Sequence, residues 1–218
     1  MNEKLLFKFL KKQSKIVLLD LLKSAFHEMK TNQKNNVFGY MMEQVAPSGI
    51  DRKQVIKDVK KFCEESLAGV YYAPFDINSR NFSHIPEETE EWFEKLNDNL
   101  ISSTQLSKQK DHLYAIDCFS MLYDLIEKME AGDEIIFADE YGTWMISGDE
   151  KVYIKAYITS LASTKKPDDY AMMTIPLIRK DSYESFSKKV YSIAMKAADK
   201  EQQKYLKAEI KKHNIRIK

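Results

Sequence analysis

The sequence predicts a mostly α-helical protein of stacked antiparallel helix pairs, HEAT-like or irregular, with one short β-hairpin near residues 134–147. Three observations carry this. Only 6 glycines and 5 prolines interrupt 218 residues, too few turn formers for an all-β sandwich. Apolar residues recur at steps of three and four along most of the chain. The stretches between these periodic runs are short, which favours antiparallel neighbours. No repeat of fixed period is visible, so a regular solenoid is not specified. The chain reads as a single domain over residues 1–218, and residues 70–85 are the best place for a boundary between lobes.

Leu5, Leu6, Phe9 and Leu10 mark a first short helix. Ser14 is placed to cap a second, along which Ile16, Leu18, Leu19, Leu22 and Phe26 run. That helix is apolar almost all round, which predicts burial between neighbours. Residues 31–36 read as a polar loop. A third helix follows over 37–45, ended by Pro47-Ser48-Gly49. Asp51 is a good cap for the next helix, striped by Val55, Ile56, Val59, Phe62 and Cys63 and stopped at Gly69. Pro86 suits a first turn, and Glu87, Glu88, Glu90 and Glu91 suit the positive end of the helix it opens. Residues 104–129 read as one longer helix closed by Gly132. Asp149 caps another, apolar nearly all round, broken at Lys166-Pro167-Asp168. Residues 170–175 form a shorter helix interrupted by Pro176. The last stripe runs from Tyr183 to Ala197, then continues or bends near Asp199 into a basic amphipathic tail.

The period changes once. Glu-Ile-Ile-Phe-Ala at 134–138 and Thr-Trp-Met-Ile-Ser at 143–147 are β-like, and Asp139-Glu140-Tyr141-Gly142 between them is turn-like, hence the expected hairpin. An isolated hairpin is marginal, so it must dock on helices, and Trp144 is the natural anchor.

Net charge is +1, so no global field recruits nucleic acid or a membrane. No apolar run approaches the length that spans a bilayer, and the charged start of the chain lacks the pattern of a signal peptide. Cys63 and Cys118 lie in apolar helical runs and read as buried, reduced thiols. These features predict a cytoplasmic protein.

No phosphate-binding glycine loop or nucleophile elbow is present, and His27, His84, His112 and His213 are far apart in sequence. No catalytic residue, metal ligand or cofactor is assigned. The acids around the hairpin, Asp133, Glu134, Asp139, Glu140, Asp149 and Glu150, have the chemistry to hold a divalent cation. Each also suits a local task, a turn start or a helix N-terminus. Tyr71, Tyr72, Phe75, Arg80, Phe82 and His84 crowd one irregular stretch. They suit either a recognition surface or a satellite core that tethers a long loop. The candidate binding surface therefore comprises Tyr71, Tyr72, Phe75, Arg80, Asp139, Glu140, Tyr141 and Trp144.

The run Phe137-Ala138-Asp139-Glu140-Tyr141-Gly142-Thr143-Trp144 resembles a segment of bacterial helical, HEAT-like proteins that carry Phe-Ala-Asp-Glu, a residue, Gly, a residue and Trp. The opening Phe9-Leu10-Lys11-Lys12-Gln13-Ser14 is similar to their N-terminal helix pair. The resemblance implies a helical, HEAT-like body, and no activity or cofactor travels with it. The functional expectation is a non-enzymatic binding or scaffold protein whose partner is another protein and not a membrane. The alternatives are a metal-dependent enzyme using the acidic hairpin, and a nucleic-acid accessory protein using the basic C-terminal helix.

Overall fold

The computed structural model describes residues 3–30, 33–34, 37–38, 50–137, 145–146, 148–179 and 184–215. The chain divides into two compact units, Met1–Ala46 and Pro47–Lys218, so the aromatic stretch 70–85 lies inside the second.

The first unit contains α1 (Glu3–Leu10) and α2 (Lys15–Glu28). Ser14 caps α2 as expected, its Oγ accepting from the Val17 amide at 3.3 Å. The expected burial of α2 is not found: none of its residues is buried. The apolar pattern was read correctly, but two short helices have too little surface to enclose one another. Phe26 meets Phe38 edge to face with ring centroids 5.4 Å apart, and the Lys34 ammonium lies over Phe26. Gln33 and Lys34 are helical where a loop was expected, while Val37 and Phe38 are helical as expected. The rest of the helix expected over 37–45 lies outside the described residues.

The second unit contains seven helices among the described residues: α3 (Arg52–Leu67), α4 (Glu87–Lys108), α5 (His112–Glu130), α6 (Glu150–Thr164), α7 (Pro167–Arg179), α8 (Glu184–Ala197) and α9 (Lys200–Lys212). Asp51 and Asp149 cap α3 and α6 through backbone amides two residues on. Asp199 and Gln202 form a reciprocal capping box that turns the chain from α8 into α9. Gly69 and Gly132 end α3 and α5 at φ +74° and +88°, a left-handed conformation that glycine adopts without a Cβ clash.

Two helix boundaries differ from expectation. Residues 104–129 are not one helix: the chain breaks at Gln109, and Lys110 takes φ +71°. The break is held from outside, because the Gln109 side chain donates to Ile50 O and Asp111 and accepts from Ile50 N. That clamp comes from 59 residues away and leaves no local signal. Pro176 does not interrupt α7, which runs through it to Arg179. Tyr170, Ala171, Thr174, Ile175, Leu177 and Ile178 are all buried, and that burial outweighs the amide bond the proline cannot make.

Helix α5 packs on α3, α4 and α6, while α6 also meets α4, α7 and α8, and α7 meets α8 and α9. Each of these pairings joins helices one or two apart in chain order. The core is continuous from Val55 to Leu206 and includes Trp92, Leu96, Phe119, Leu122, Ile126, Ile154 and Tyr170.

The expected hairpin is corrected on its first arm. Residues 134–137 form a turn and bend, and there is no strand among the described residues. Ile135 and Ile136 are both buried, at 1% and 2% exposure, whereas a one-faced strand would bury alternate residues. The Ile135 amide closes a tight turn on Asp133 O at 2.6 Å. The Ile-Ile pair is thus a plug pressed into the helical core after α5. Of the second arm, Met145 and Ile146 are described, non-strand and packed on the core.

Candidate functional site

The stretch between α3 and α4 resolves into three layers. Tyr71 belongs to the core, at 2% exposure, and packs on Phe62 with centroids 5.9 Å apart. Its hydroxyl donates to Glu65 Oε2 at 3.1 Å and accepts from Lys95 Nζ at 3.0 Å. Lys95 also pairs with Glu91 at 2.8 Å, and this contact, with the Tyr71 hydroxyl, holds its ammonium charged well above the usual lysine range. Burial pushes the Tyr71 phenol upward. Tyr71 therefore fixes the start of the loop and presents nothing to a ligand.

Tyr72 and Phe75 form the middle layer. Both rings meet Phe137 edge to face, at 6.1 and 5.1 Å, and Phe75 meets the His84 ring at 5.2 Å. Phe137 is drawn in from the far end of α5, where Thr89 Oγ1 donates to its carbonyl at 2.8 Å. Sequence reasoning missed Phe137 because a β-like run assigned it to a strand.

The outer layer is residues 76–84, shaped by asparagine side chains. Asn78 N donates to Asn81 Oδ1, Arg80 N to Asn78 Oδ1, and Asn81 Nδ2 to Asp76 O, all within 2.6–2.9 Å. These bonds replace regular secondary structure and give the loop a defined course. Ile77, Phe82 and Arg80 are exposed on it.

Between the outer loop and the first turn of α4 lies a cleft of about 470 Å³, within the range of small-ligand and peptide sites. Ala73, Phe75, Asn81, His84, Pro86, Glu87 and Glu88 line it. Both glutamates are exposed. Aromatic rings and two carboxylates lining one cleft have the chemistry to hold a cation, by the negative face of the ring and by charge pairing. Glu87 and Glu88 were read only as helix-start acids; their position before Trp92, which the core seats fully buried, could have placed them at the loop's mouth.

Of the sequence-predicted residues, Phe75 lines the cleft, Tyr72 supports it from behind, Tyr71 is buried, and Arg80 is exposed and not part of the lining. Asp139, Glu140, Tyr141 and Trp144 lie outside the described residues. Among the described residues no group of three or more His, Cys, Asp or Glu could hold a metal ion. Asp149 spends a carboxylate oxygen on capping α6. On α9, Glu209 pairs with Lys212 and His213.

One pair has the residue types of a catalytic couple but sits within a buried hydrogen-bonded chain. His112 Nδ1 lies 3.2 Å from Ser160 Oγ, but that hydroxyl is fully buried and donates to Ser107 Oγ at 2.8 Å. Ser107 in turn donates to Ala156 O, so the chain is a polar seam between helices. Burial pushes the Cys63 and Cys118 thiols up to about 11 and about 12, which leaves them un-ionised and poor nucleophiles near neutral pH.

No protein-family model matches this chain, and no curated protein or solved structure matches it. What can be said of its class comes from its own fold and cleft: a helical protein, with no helix among the described residues long and apolar enough to cross a membrane.

Proposed function

We propose that this chain is a non-enzymatic binding protein whose second unit receives a basic segment of a protein partner in the cleft between residues 73–84 and the start of α4. One observation carries the reading: Phe75 and His84, in ring contact, line the same open cleft as Glu87 and Glu88. A lysine or arginine side chain fits that chemistry, with its stem on the rings and its head at the carboxylates. Ile77 and Phe82, exposed beside the cleft at 59% and 69%, offer apolar contact to the residues flanking that cation. The near surroundings hold Asp76, Glu87 and Glu88 against Arg80, a local excess of negative charge. The helical body fits a stacked array of antiparallel pairs, HEAT-like or irregular, since the substantial packings join helices one or two apart in sequence. Free cysteines, Cys118 buried and Cys63 only half-buried, fit a reducing, cytoplasmic setting.

Fluorescence anisotropy with a labelled lysine- and arginine-rich peptide tests this. The basic peptide binds and an acidic peptide of equal length does not. Phe75→Ala weakens binding roughly fivefold or more, as loss of a cation–ring contact requires. Glu87→Gln with Glu88→Gln weakens it further and reduces its salt dependence. Equal binding of both peptides, or none, removes the reading.

A further inference from the structure

Helix α9 carries a row of lysines with no acid set against it. Lys200, Lys204, Lys207 and Lys211 follow at steps of four, three and four, which places them within an arc of about 60° on one face. All four are exposed, and none forms an ion pair among the described residues. The helix's own glutamates leave the row intact. Glu209 stands on the opposite side, where it pairs with Lys212 and His213. Glu201 stands about 90° from the centre of the row.

The row sits on a firmly seated helix. Gln202 and Leu206 are buried, at 2% and 0% exposure. The Gln202 side chain donates to Ala162 O and Lys165 O at the end of α6, both at 3.0 Å. The Gln203 side chain donates to Met195 O and Ala198 O at 2.9 and 3.1 Å. Those two bonds bring the last turn of α8, with exposed Lys196, to the N-terminal end of the row.

Chemistry decides what such a row meets. It runs roughly 16 Å along the helix axis. A nucleic-acid duplex carries one charge per about 1.7 Å of its axis, so its phosphates can answer every lysine at once. An acidic protein surface offers carboxylates at no regular spacing. Lysine is a compact point charge that contacts phosphate without reading bases, and the row contains no arginine. A membrane would require large apolar side chains beside the lysines, and the flanking Gln203 and Ala208 supply none. A single strand would require an exposed ring on which to stack its bases, but Tyr205, 49% exposed, stands about 130° from the centre of the row.

We propose that α9 is a docking face for the phosphate backbone of a nucleic-acid duplex, bound without sequence preference through Lys200, Lys204, Lys207 and Lys211. The sequence marks the whole C-terminal tail as basic; the folded helix narrows the contact to these four. A net charge of +1 for the whole chain averages the row away. The proposal is independent of the cleft.

Fluorescence anisotropy of the full chain tests it, with a labelled 20-base-pair duplex (about 20, long enough to span the row) as DNA and as RNA. Both duplexes bind at low salt, and the logarithm of affinity falls against the logarithm of salt with a slope of roughly −3 to −4. Lys204→Gln with Lys207→Gln reduces that slope by about two and weakens binding about tenfold or more at low salt. Lys53→Gln with Lys57→Gln, an equal loss of charge from exposed positions on α3, leaves both close to wild type. All four positions are exposed, so the circular dichroism spectrum and Tm of both variants match the parent. Absence of binding at low salt overturns the proposal, as does undiminished binding by the α9 variant or equal weakening by the α3 variant. So does tighter binding of a single strand, or displacement of the duplex by an acidic peptide at equal charge, because the row then serves a different partner.

Discussion

Tyr153 donates a 2.7 Å hydrogen bond to the Asn97 side-chain carbonyl, and both residues are buried. Among the described residues the Asn97 amide nitrogen has no partner, so this one bond keeps the asparagine tolerable in the core. Tyr153→Phe strands the carbonyl and lowers stability by about 1–3 kcal/mol in urea unfolding. A variant as stable as the parent would mean that the carbonyl is satisfied elsewhere. Gly148 is pressed against the same pair, and a Cβ there would overlap the Tyr153 hydroxyl and crowd Asn97. Gly148→Ala costs about 1–3 kcal/mol by overpacking. The buried thiols give a prediction with a definite sign. Cys118 has an ordinary value of 9.0 and is pushed by burial to about 12, and Cys63 to about 11. The unfolded chain therefore releases these protons before the folded one does. Their contribution to stability is whole below pH 9 and is lost as pH climbs through the folded values. The urea midpoint falls between pH 9 and 11, and Cys118→Ala makes that fall shallower. A midpoint independent of pH across this window would contradict the burial of Cys118 and the partial burial of Cys63.

Among the elements, the loop between α3 and α4 and the turn after α5 act together. Phe137 holds Tyr72 and Phe75 in place, and Ile135 and Ile136 fix Phe137 by plugging the core beside it. Ile136→Ala costs about 2–5 kcal/mol as a core truncation and also loosens the cleft wall. Asn81→Ala removes two bonds that shape the outer loop while leaving the core untouched. It raises amide hydrogen exchange in residues 76–84 with little change in Tm, and unchanged exchange there would contradict the asparagine clamp. These elements also set the limit of what the sequence reveals. Caps are local, so Ser14, Asp51 and Asp149 could be read directly, as could the glycine stops. The break at Gln109 and the passage of α7 through Pro176 depend on contacts from distant residues. Ile-Ile-Phe after a glycine satisfies strand preference locally, and only its burial on both sides reveals a plug. Phe75 was legible as a site residue because aromatics crowd its loop. Glu87 and Glu88 were masked by an adequate role at a helix start.

For the molecule as a whole, every buried core residue among the described residues lies between Val55 and Leu206, inside the second unit. Removing residues 1–46 therefore leaves the cooperative thermal transition of the remainder in place, with Tm changed by no more than about 2–4 °C. Loss of cooperativity would mean that the first unit completes the core. Preformation is the claim on which the proposed binding role rests, because Asn78, Asn81, Thr89 and Phe137 shape the loop beside the cleft through hydrogen bonds within the chain. Backbone amide NMR during titration with a lysine- and arginine-rich peptide tests it most directly. The account predicts saturable shifts confined to residues 73–88 and 137, with the amides of α5 and α6 unmoved. Shifts spread through the helical core, or centred on α9 with residues 73–88 silent, would contradict it.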